Sequence, residues 1–332
     1  MAKQAVLLLA HGTPETVDQI PEYLRNVTSG RPLPQAVIEE IQHRYALIGH
    51  SPLTEITLEQ ARLAESELAA RGTNVAVYVG MRNWRPYISD VVRQMRADGV
   101  EEAAVICMAP QNSRTSVGLY RRAVEAEAAG LRIDFTEGWA HHPLLIEAFA
   151  ERLRSALAGL SNEVGHAVPV LFTAHSVPCR TIMVSGDQAG AASGTQPRLW
   201  PGTGADPYAQ ESKATAALVA QRVPEITQWC FAFQSQGASG GPWIGPTVEN
   251  TLDAIAAEGV KALVLQPIGF LCDHVEILFD VDRLFRNYAV KLGVNLQRPE
   301  SLNDSPTLAR AVADLAGNGL ARLRDAAERQ SD

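Results

Sequence analysis

A short motif occurs twice in this chain of 332 residues, once near its start and once just past its middle. Residues 5–14 and residues 168–178 each contain an apolar run followed by Ala, His, a small residue, any residue and Pro. The apolar run is typical of a buried β-strand, and the proline ends it. The repeat therefore predicts two similar halves, with His11 and His175 each at the carboxyl end of the first strand of its half.

Strand-like and helix-like segments alternate after each of these motifs. In the first half, apolar runs at 75–80, 103–109 and 131–135 are each followed by a helical pattern, and several of these helices end at a glycine. The second half repeats the scheme. The alternation predicts an α/β fold of two Rossmann-like domains, each a parallel sheet flanked by helices, with the active-site cleft between them.

The boundary between the halves is predicted within a polar, glycine-containing stretch that surrounds residue 160. We expect an N-terminal Rossmann-like domain over residues 1–160 and a C-terminal one over residues 161–305. A last helix over residues 306–332 should pack back on the first domain. Residues 184–206 are rich in Gly, Ala, Ser and Pro, which predicts a mobile loop beside the site.

Composition and charge exclude several classes of function. The net charge is −8, so the chain lacks the basic surface that nucleic-acid binding favours. No apolar run reaches the ~18 residues that span a bilayer, and the first residues do not resemble a secretory signal, so we expect a cytoplasmic protein. Neither glycine-rich nucleotide fingerprint occurs. The four cysteines are spaced for neither a disulfide framework nor an iron–sulfur cluster.

The densest group of ionisable residues follows the last long apolar run of the second half. On an α-helix, Asp273, Glu276 and Asp280 would lie within about 60° of one another. A solvent-exposed acidic face is the simpler interpretation, and a histidine at a strand end is most often a packed core residue. However, this helix begins at the same sheet edge as His175. Hard carboxylate ligands suit a hydrated divalent cation there, and His175 facing Glu276 is a candidate proton acceptor and metal ligand.

A resemblance to the ferrochelatase family extends along nearly the whole chain. Residues 172–178 are similar to the family's catalytic-histidine motif, and residues 269–280 resemble the motif that carries its catalytic glutamate. The resemblance implies a two-domain enzyme that inserts Fe²⁺ into a porphyrin, a late step of haem biosynthesis. Shorter matches occur at residues 9–14, 44–45 with 48–49, 51–53, 109–111, either 186–187 or 206–208, 233–235 and 242–246.

The resemblance also implies roles for individual residues. His175 and Glu276 would be the catalytic pair and would contact the metal, and Asp280 would extend the acidic strip that handles the metal or the released protons. His11 would contact the metal from the face of the porphyrin opposite His175. The residues implied to contact the porphyrin are His11, Thr13, Arg44, Ser51, Tyr120 and Trp243.

The chain departs from the family pattern at several positions. His11 stands where Gram-positive members usually carry a tyrosine, so it would offer the metal a neutral nitrogen in place of a phenolate. Leu284 replaces an acid that is often found one turn beyond Asp280, which predicts a weaker outer metal site. Residues 273–332 contain no cysteine, so the iron–sulfur cluster of some relatives is not expected.

The segments 28–35, 234–237 and 242–246 resemble coproporphyrin-type enzymes more than protoporphyrin-type ones. Coproporphyrin III is therefore favoured over protoporphyrin IX as the substrate. The reaction would need Fe²⁺ but no nucleotide or redox cofactor, and the expected partners are the porphyrin, ferrous iron and, transiently, neighbouring haem-pathway enzymes. Two other functions stay open, namely a cobalt or nickel chelatase for another tetrapyrrole and a non-catalytic haem-binding protein.

Overall fold

Two parallel four-stranded sheets with the same strand order form the framework of the molecule. The structure, a computed structural model, describes residues 2–182, 207–236 and 241–331, so the predicted loop over 184–206 lies outside the described residues. The first sheet has the order β2-β1-β3-β4 and the second β6-β5-β7-β8. The strands are β1 Gln4–Ala10, β2 Ala76–Met81, β3 Glu102–Cys107, β4 Arg132–Thr136, β5 Val170–His175, β6 Trp229–Gln234, β7 Ala262–Pro267 and β8 Asn295–Gln297.

Helices connect the strands and cover both faces of the sheets. A 3₁₀ turn, Val17–Gln19, precedes the first helix, and a π-helix, Glu276–Phe285, precedes α10. The α-helices are α1 Ile20–Val27, α2 Gln35–Ile48, α3 Leu53–Ala70, α4 Ile88–Ala97, α5 Val117–Glu125, α6 Pro143–Val164, α7 Cys179–Ile182, α8 Tyr208–Arg222, α9 Val248–Ala257, α10 Arg286–Lys291 and α11 Pro306–Ser331. No helix in these described ranges combines the length and the apolarity that crossing a bilayer requires.

The predicted repeat of the two halves is confirmed by the sheet topology. β1 and β5 occupy the same position in their sheets, each between the two strands that follow it in the chain. Residues 5–9 of β1 are fully buried, as expected for a central parallel strand with helices on both faces. Because of this equivalence, His11 and His175 stand at matching strand ends. The edge strand β8 was not predicted, because three residues carry no readable periodicity.

The last helix of each half packs on the other half. α6 follows the first sheet but contacts β7 and α8, whereas α11 follows the second sheet but contacts β3, β4 and α3. Gly319 permits the close approach of α11, because a Cβ atom there would lie 2.9 Å from the Cβ of Ala104. The two sheets therefore share one apolar core, and the domain limits at residues 160 and 305 stay predictions.

Candidate active site

The carboxyl ends of strands from both sheets open onto one cavity of about 380 Å³. This volume is typical of small-molecule sites, and the position follows the rule for parallel α/β sheets. His11 follows β1, Arg82 follows β2, His175 ends β5, and Glu276 begins the π-helix; all four side chains line the cavity. The topology thus brings residues that are far apart in sequence to a single site.

His175 is held by contacts on several sides of its backbone and ring. The Tyr208 hydroxyl donates to the His175 carbonyl oxygen at 3.0 Å. Nδ1 contacts the carbonyl oxygen of Ser176, which can only accept, so Nδ1 carries a proton. The ring packs beside Trp243 and Phe270, with centroids 6.4 and 6.3 Å away. Nε2 is therefore the atom that His175 presents to the cavity.

Glu276 lies between two imidazoles. Its Oε1 is 3.3 Å from Nε2 of His175, and its Oε2 is 3.7 Å from Nε2 of His274. Burial lowers the pKa of His175, but the charge and hydrogen bond of Glu276 outweigh burial and raise the pKa of His175 to about 9. Burial likewise opposes ionisation of Glu276, but His175 and His274 hold the pKa of this carboxyl well below its usual range. The metal-free pair is consequently an imidazolium facing a carboxylate.

Asp280 lies one turn beyond Glu276 and just outside the cavity lining. The Ser235 hydroxyl donates to Asp280, and Nη1 of Arg44 lies 3.5 Å from Oδ1. Burial and the negative charge of Glu276 raise the pKa of Asp280 to about 6, against the effects of Ser235 and Arg44. The guanidinium of Arg44 also stacks on Phe279, 5.1 Å from the ring centroid, and so connects Asp280 with the protein surface.

The prediction that Asp273 belongs to the same acidic strip is wrong. The helix begins after Asp273, and this carboxylate accepts hydrogen bonds from Ser301 at 2.7 Å and Asn303 at 3.0 Å. Arg298 lies 3.3 Å from Asp273 and also forms a two-pronged contact with Asp282, at 2.8 Å for each pair of atoms. Asp273 is therefore a structural anchor in front of the π-helix, and Arg298 neutralises its charge.

His11 has surroundings unlike those of His175. Burial and the positive charge of Arg82 lower the pKa of His11 to about 3, so the imidazole is neutral. The side-chain nitrogen of Asn83 lies 3.1 Å from Nε2 and 3.2 Å from Nδ1 of His11. Tyr23 packs against the ring edge-on, with centroids 6.1 Å apart. A neutral imidazole on the wall formed by the first sheet is chemically able to offer a lone pair to a metal.

The other residues predicted to contact the substrate fall into two groups. Thr13, Ser51, Tyr120 and Trp243 line the cavity, whereas Arg44 does not. The Thr13 hydroxyl lies 3.0 Å from that of Tyr45, but the fully buried Ser51 hydroxyl has no hydrogen-bond partner. Within residues 2–182, 207–236 and 241–331, no three His, Cys, Asp or Glu side chains are grouped as a metal centre.

Several cavity residues were not predicted. Arg82 could have been found, because it follows an apolar run that was recognised as a strand, and such positions lie at the ligand-binding edge. His274 was noted only as part of the acidic segment. Tyr23 and Tyr45 come from helices and have the spacing of core residues, so no sequence signal separates them from ordinary apolar positions.

The two-domain α/β fold is that of solved chelatase structures. The structure is similar to the sirohydrochlorin chelatase SirB from Bacillus subtilis subspecies spizizenii, with a TM-score of 0.54 over 95% of this chain and 96% of that one. The sequence identity is 12%, so this likeness concerns the fold alone.

The chain belongs to the ferrochelatase family, whose sequence model matches residues 3–320. It is 58% identical to a ferrochelatase of Acidobacterium capsulatum, over 97% of this chain and 96% of that protein. It is also 34% identical to a coproporphyrin III ferrochelatase of Mycolicibacterium vanbaalenii, over 95% of this chain and 89% of that protein. The predicted family and the prediction of a metal-inserting enzyme are therefore confirmed.

Proposed function

We propose that this ferrochelatase inserts Fe²⁺ into coproporphyrin III in preference to protoporphyrin IX. The relative from Mycolicibacterium vanbaalenii is a coproporphyrin III ferrochelatase that matches most of the chain. The match to this relative carries the choice of coproporphyrin III, and the buried Ser51 hydroxyl, which lines the cavity without a partner, supports a porphyrin that bears carboxylates. A buried hydroxyl without a partner costs free energy, and a substrate carboxylate would accept its hydrogen bond. Coproporphyrin III offers four propionates, and protoporphyrin IX offers two.

The reaction exchanges two pyrrole N–H protons for one dication, so the site must take up protons and hold positive charge. In the metal-free protein His175 already holds a proton in its ion pair with Glu276. Fe²⁺ bound at Glu276 would cancel the negative charge that raises the pKa of His175. The imidazole would then release its proton toward Asp280 and become the base that accepts the two pyrrole protons in turn, passing the first one on before it takes the second.

Asp280 is proposed to pass these protons, or the incoming metal, between Glu276 and the surface. It is 5% exposed, and its pKa of about 6 allows it to change protonation state near neutral pH. Arg44 lies between Asp280 and Glu40, which is 3.0 Å from Arg44 and half exposed. These side chains line a polar route from the buried carboxylates to water, along which Arg44 keeps its own protons and only the carboxylates take up a proton or a metal.

His11 is proposed to meet the iron from the other face of the porphyrin. Support comes from its neutral state and from its position at the end of β1, which matches the position of His175 at the end of β5. A neutral imidazole binds ferrous iron without adding charge to a site that must also expel protons.

No nucleotide or redox cofactor is proposed, because iron enters and leaves the reaction as Fe²⁺ and the charge of two protons balances that of the metal. The cytoplasm is proposed as the compartment. The four free cysteines, three of them buried, are typical of a reducing environment. Transient contacts with enzymes that supply the porphyrin or consume the product are proposed on chemical grounds, since free metalloporphyrins are poorly soluble.

Anaerobic Fe²⁺ insertion, measured side by side with coproporphyrin III and protoporphyrin IX, tests the proposal. We expect a higher kcat/KM for coproporphyrin III. His175→Ala and Glu276→Gln should each lower kcat by about 10²- to 10⁴-fold, as expected for the loss of acid–base catalysis. His50 and Glu55 form a matched control pair, 3.0 Å apart on the surface. His50→Ala and Glu55→Gln should keep wild-type rates, and a preference for protoporphyrin IX would overturn the choice of substrate.

A further inference from the structure

We propose that Arg82, together with the start of α5, forms a second carboxylate subsite in the cavity, and that this subsite selects tetrapyrroles with propionates on opposite edges. The inference rests on the proposed function, because it explains how the cavity would distinguish coproporphyrin III from protoporphyrin IX. Nothing in the family match assigns such a role to Arg82.

Arg82 is the only Lys or Arg among the described residues that line the cavity. It follows β2 directly, and its backbone N–H donates to the carbonyl oxygen of Ala10 at 2.9 Å, which fixes its backbone beside His11. Its guanidinium stacks on the ring of Tyr120, 5.6 Å from the centroid. The cation is therefore built into the wall by its backbone and by an aromatic neighbour.

The guanidinium of Arg82 forms no ion pair with a carboxylate of the described residues, and its Nε is buried without a hydrogen-bond partner. Arg82 is partly buried, and a cation that is partly shielded from water in this way is stabilised by an anion that pairs with it. The planar guanidinium matches the two oxygens of a carboxylate, the only anionic group on the edge of a propionate-bearing porphyrin.

The start of α5 provides further donors on the same wall. Ser116 precedes the helix and its hydroxyl does not cap the helix, while Thr115 and Ser116 both line the cavity. The backbone N–H of Tyr120 donates to the Ser116 carbonyl oxygen at 3.1 Å, so the ring under Arg82 lies one turn from Ser116 on the same helical face. The N–H groups of Gly118 and Leu119 donate to the carbonyl oxygens of Ser113 and Ser116, so the hydroxyls of Thr115 and Ser116 and the helix dipole, not free N–H groups, are what this end of α5 offers an anion.

This subsite approaches the cavity from a different side than Ser51. Tyr120 packs in a core cluster with Leu7 and Leu9, whereas α3, which begins just after Ser51, packs in a cluster with Val6 and Leu8. Alternate residues of β1 point to opposite faces of the sheet, so α3 and α5 cover opposite faces. Donors from both sides suit a ring with carboxylates at opposite edges. Coproporphyrin III has a propionate on every pyrrole, whereas protoporphyrin IX has its two on neighbouring pyrroles.

The test compares kcat/KM for the two porphyrins in the wild type, Arg82→Gln and Arg82→Lys. We expect Arg82→Gln to lower kcat/KM for coproporphyrin III, relative to kcat/KM for protoporphyrin IX, by about 10- to 100-fold. This is the loss expected for one hydrogen bond to a charged group. The loss should appear in KM for coproporphyrin III more than in kcat. Arg82→Lys keeps the positive charge but loses the planar guanidinium that can bind both carboxylate oxygens. Its ratio of the two kcat/KM values should therefore lie between those of the wild type and Arg82→Gln. Arg85→Gln is the matched control, because Arg85 is 61% exposed and does not line the cavity.

The outcomes separate this inference from the choice of substrate. A wild type that prefers coproporphyrin III, with the same ratio in Arg82→Gln, overturns the subsite and leaves the proposed function intact. A wild type that prefers protoporphyrin IX overturns the proposed function. Binding of metal-free coproporphyrin III and of its tetramethyl ester, followed by fluorescence, then decides the subsite. The wild type should bind the acid more tightly than the ester, and Arg82→Lys should reduce this difference even if Arg82→Gln does not fold. Equal binding of acid and ester by the wild type would overturn the subsite.

Discussion

Replacing Glu276 by Gln keeps the size of the side chain and removes the charge that faces His175. Burial lowers the pKa of His175, but the carboxylate 3.3 Å from Nε2 raises it to about 9. Without that charge, burial should dominate and the pKa of His175 should fall below its ordinary value of 6.5. A change of this size corresponds to about 3 kcal/mol of interaction between the two side chains.

The interaction between His175 and Glu276 should also contribute to the free energy of unfolding over a defined pH range. The raised pKa of His175 gives stability that is complete below pH 6.5 and is lost as the pH rises through about 9. The lowered pKa of Glu276 gives stability that is present above its ordinary value of 4.5 and is lost in more acidic solution. The difference in the free energy of unfolding between wild type and Glu276→Gln should therefore be largest between pH 4.5 and 6.5.

Proton NMR of the imidazole Cε1–H signals in the metal-free proteins measures the pKa of His175 directly. The spectrum of His175→Ala identifies which signal belongs to His175. We expect His175 to titrate near pH 9 in the wild type and below pH 6.5 in Glu276→Gln. Urea unfolding at pH 6 and at pH 9.5 should show a larger stability difference at the lower pH. Glu55→Gln, which removes a surface carboxylate, should leave the His175 signal unchanged. A His175 signal that titrates at one pH in both proteins would refute the assigned cause of the raised pKa.

Three further predictions concern the surroundings of the site. Arg298→Met should lower the free energy of unfolding by about 2–4 kcal/mol and also lower kcat, because the partly buried carboxylates of Asp273 and Asp282 lose their shared partner. Arg152→Met, at a more exposed arginine, should change the free energy of unfolding in urea little. Gly319→Ala should destabilise the protein by about 1–3 kcal/mol, because its Cβ would collide with β3, whereas Gly317→Ala, with open space, should be neutral or stabilising in the same thermal unfolding assay. Asp280→Asn should remove an inflection near pH 6 from the pH profile of kcat/KM, which reports the free enzyme, since a carboxyl with a pKa of about 6 no longer titrates there.

The main features of the fold and the proximity of His175 and Glu276 could be predicted because they depend on periodicity and strand ends. The repeated strand–Ala–His motif places His11 and His175 at equivalent sheet positions, and the parallel topology gathers such positions at one edge. The same rule applied to Arg82 would have identified it, since it also follows a strand. The rule considers only where strands end, so it identifies site residues at strand ends better than site residues contributed by helices.

Two features could not be read from the sequence for physical reasons. Residues 276–285 form a π-helix, and a ten-residue apolar pattern does not distinguish its period from that of an α-helix. Asp273 does not join the acidic strip because it is bound by Arg298, Ser301 and Asn303, which follow it in the sequence by 25 residues or more. The position of Asp273 depends on contacts that form only when the segment before α11 folds against the start of the π-helix.

The duplicated unit explains how one backbone arrangement can provide two opposite chemical properties. His11 and His175 follow equivalent strands, yet the pKa of one is lowered to about 3 and that of the other raised to about 9. Next to His11 the neighbouring strand ends in a cation, Arg82, whereas His175 faces a carboxylate from the π-helix. Because α6 and α11 each pack on the other half, the two histidines are held on walls that share one core. We infer that this combination assigns metal contact to the neutral imidazole and proton transfer to the charged one, a division that a single histidine could not provide.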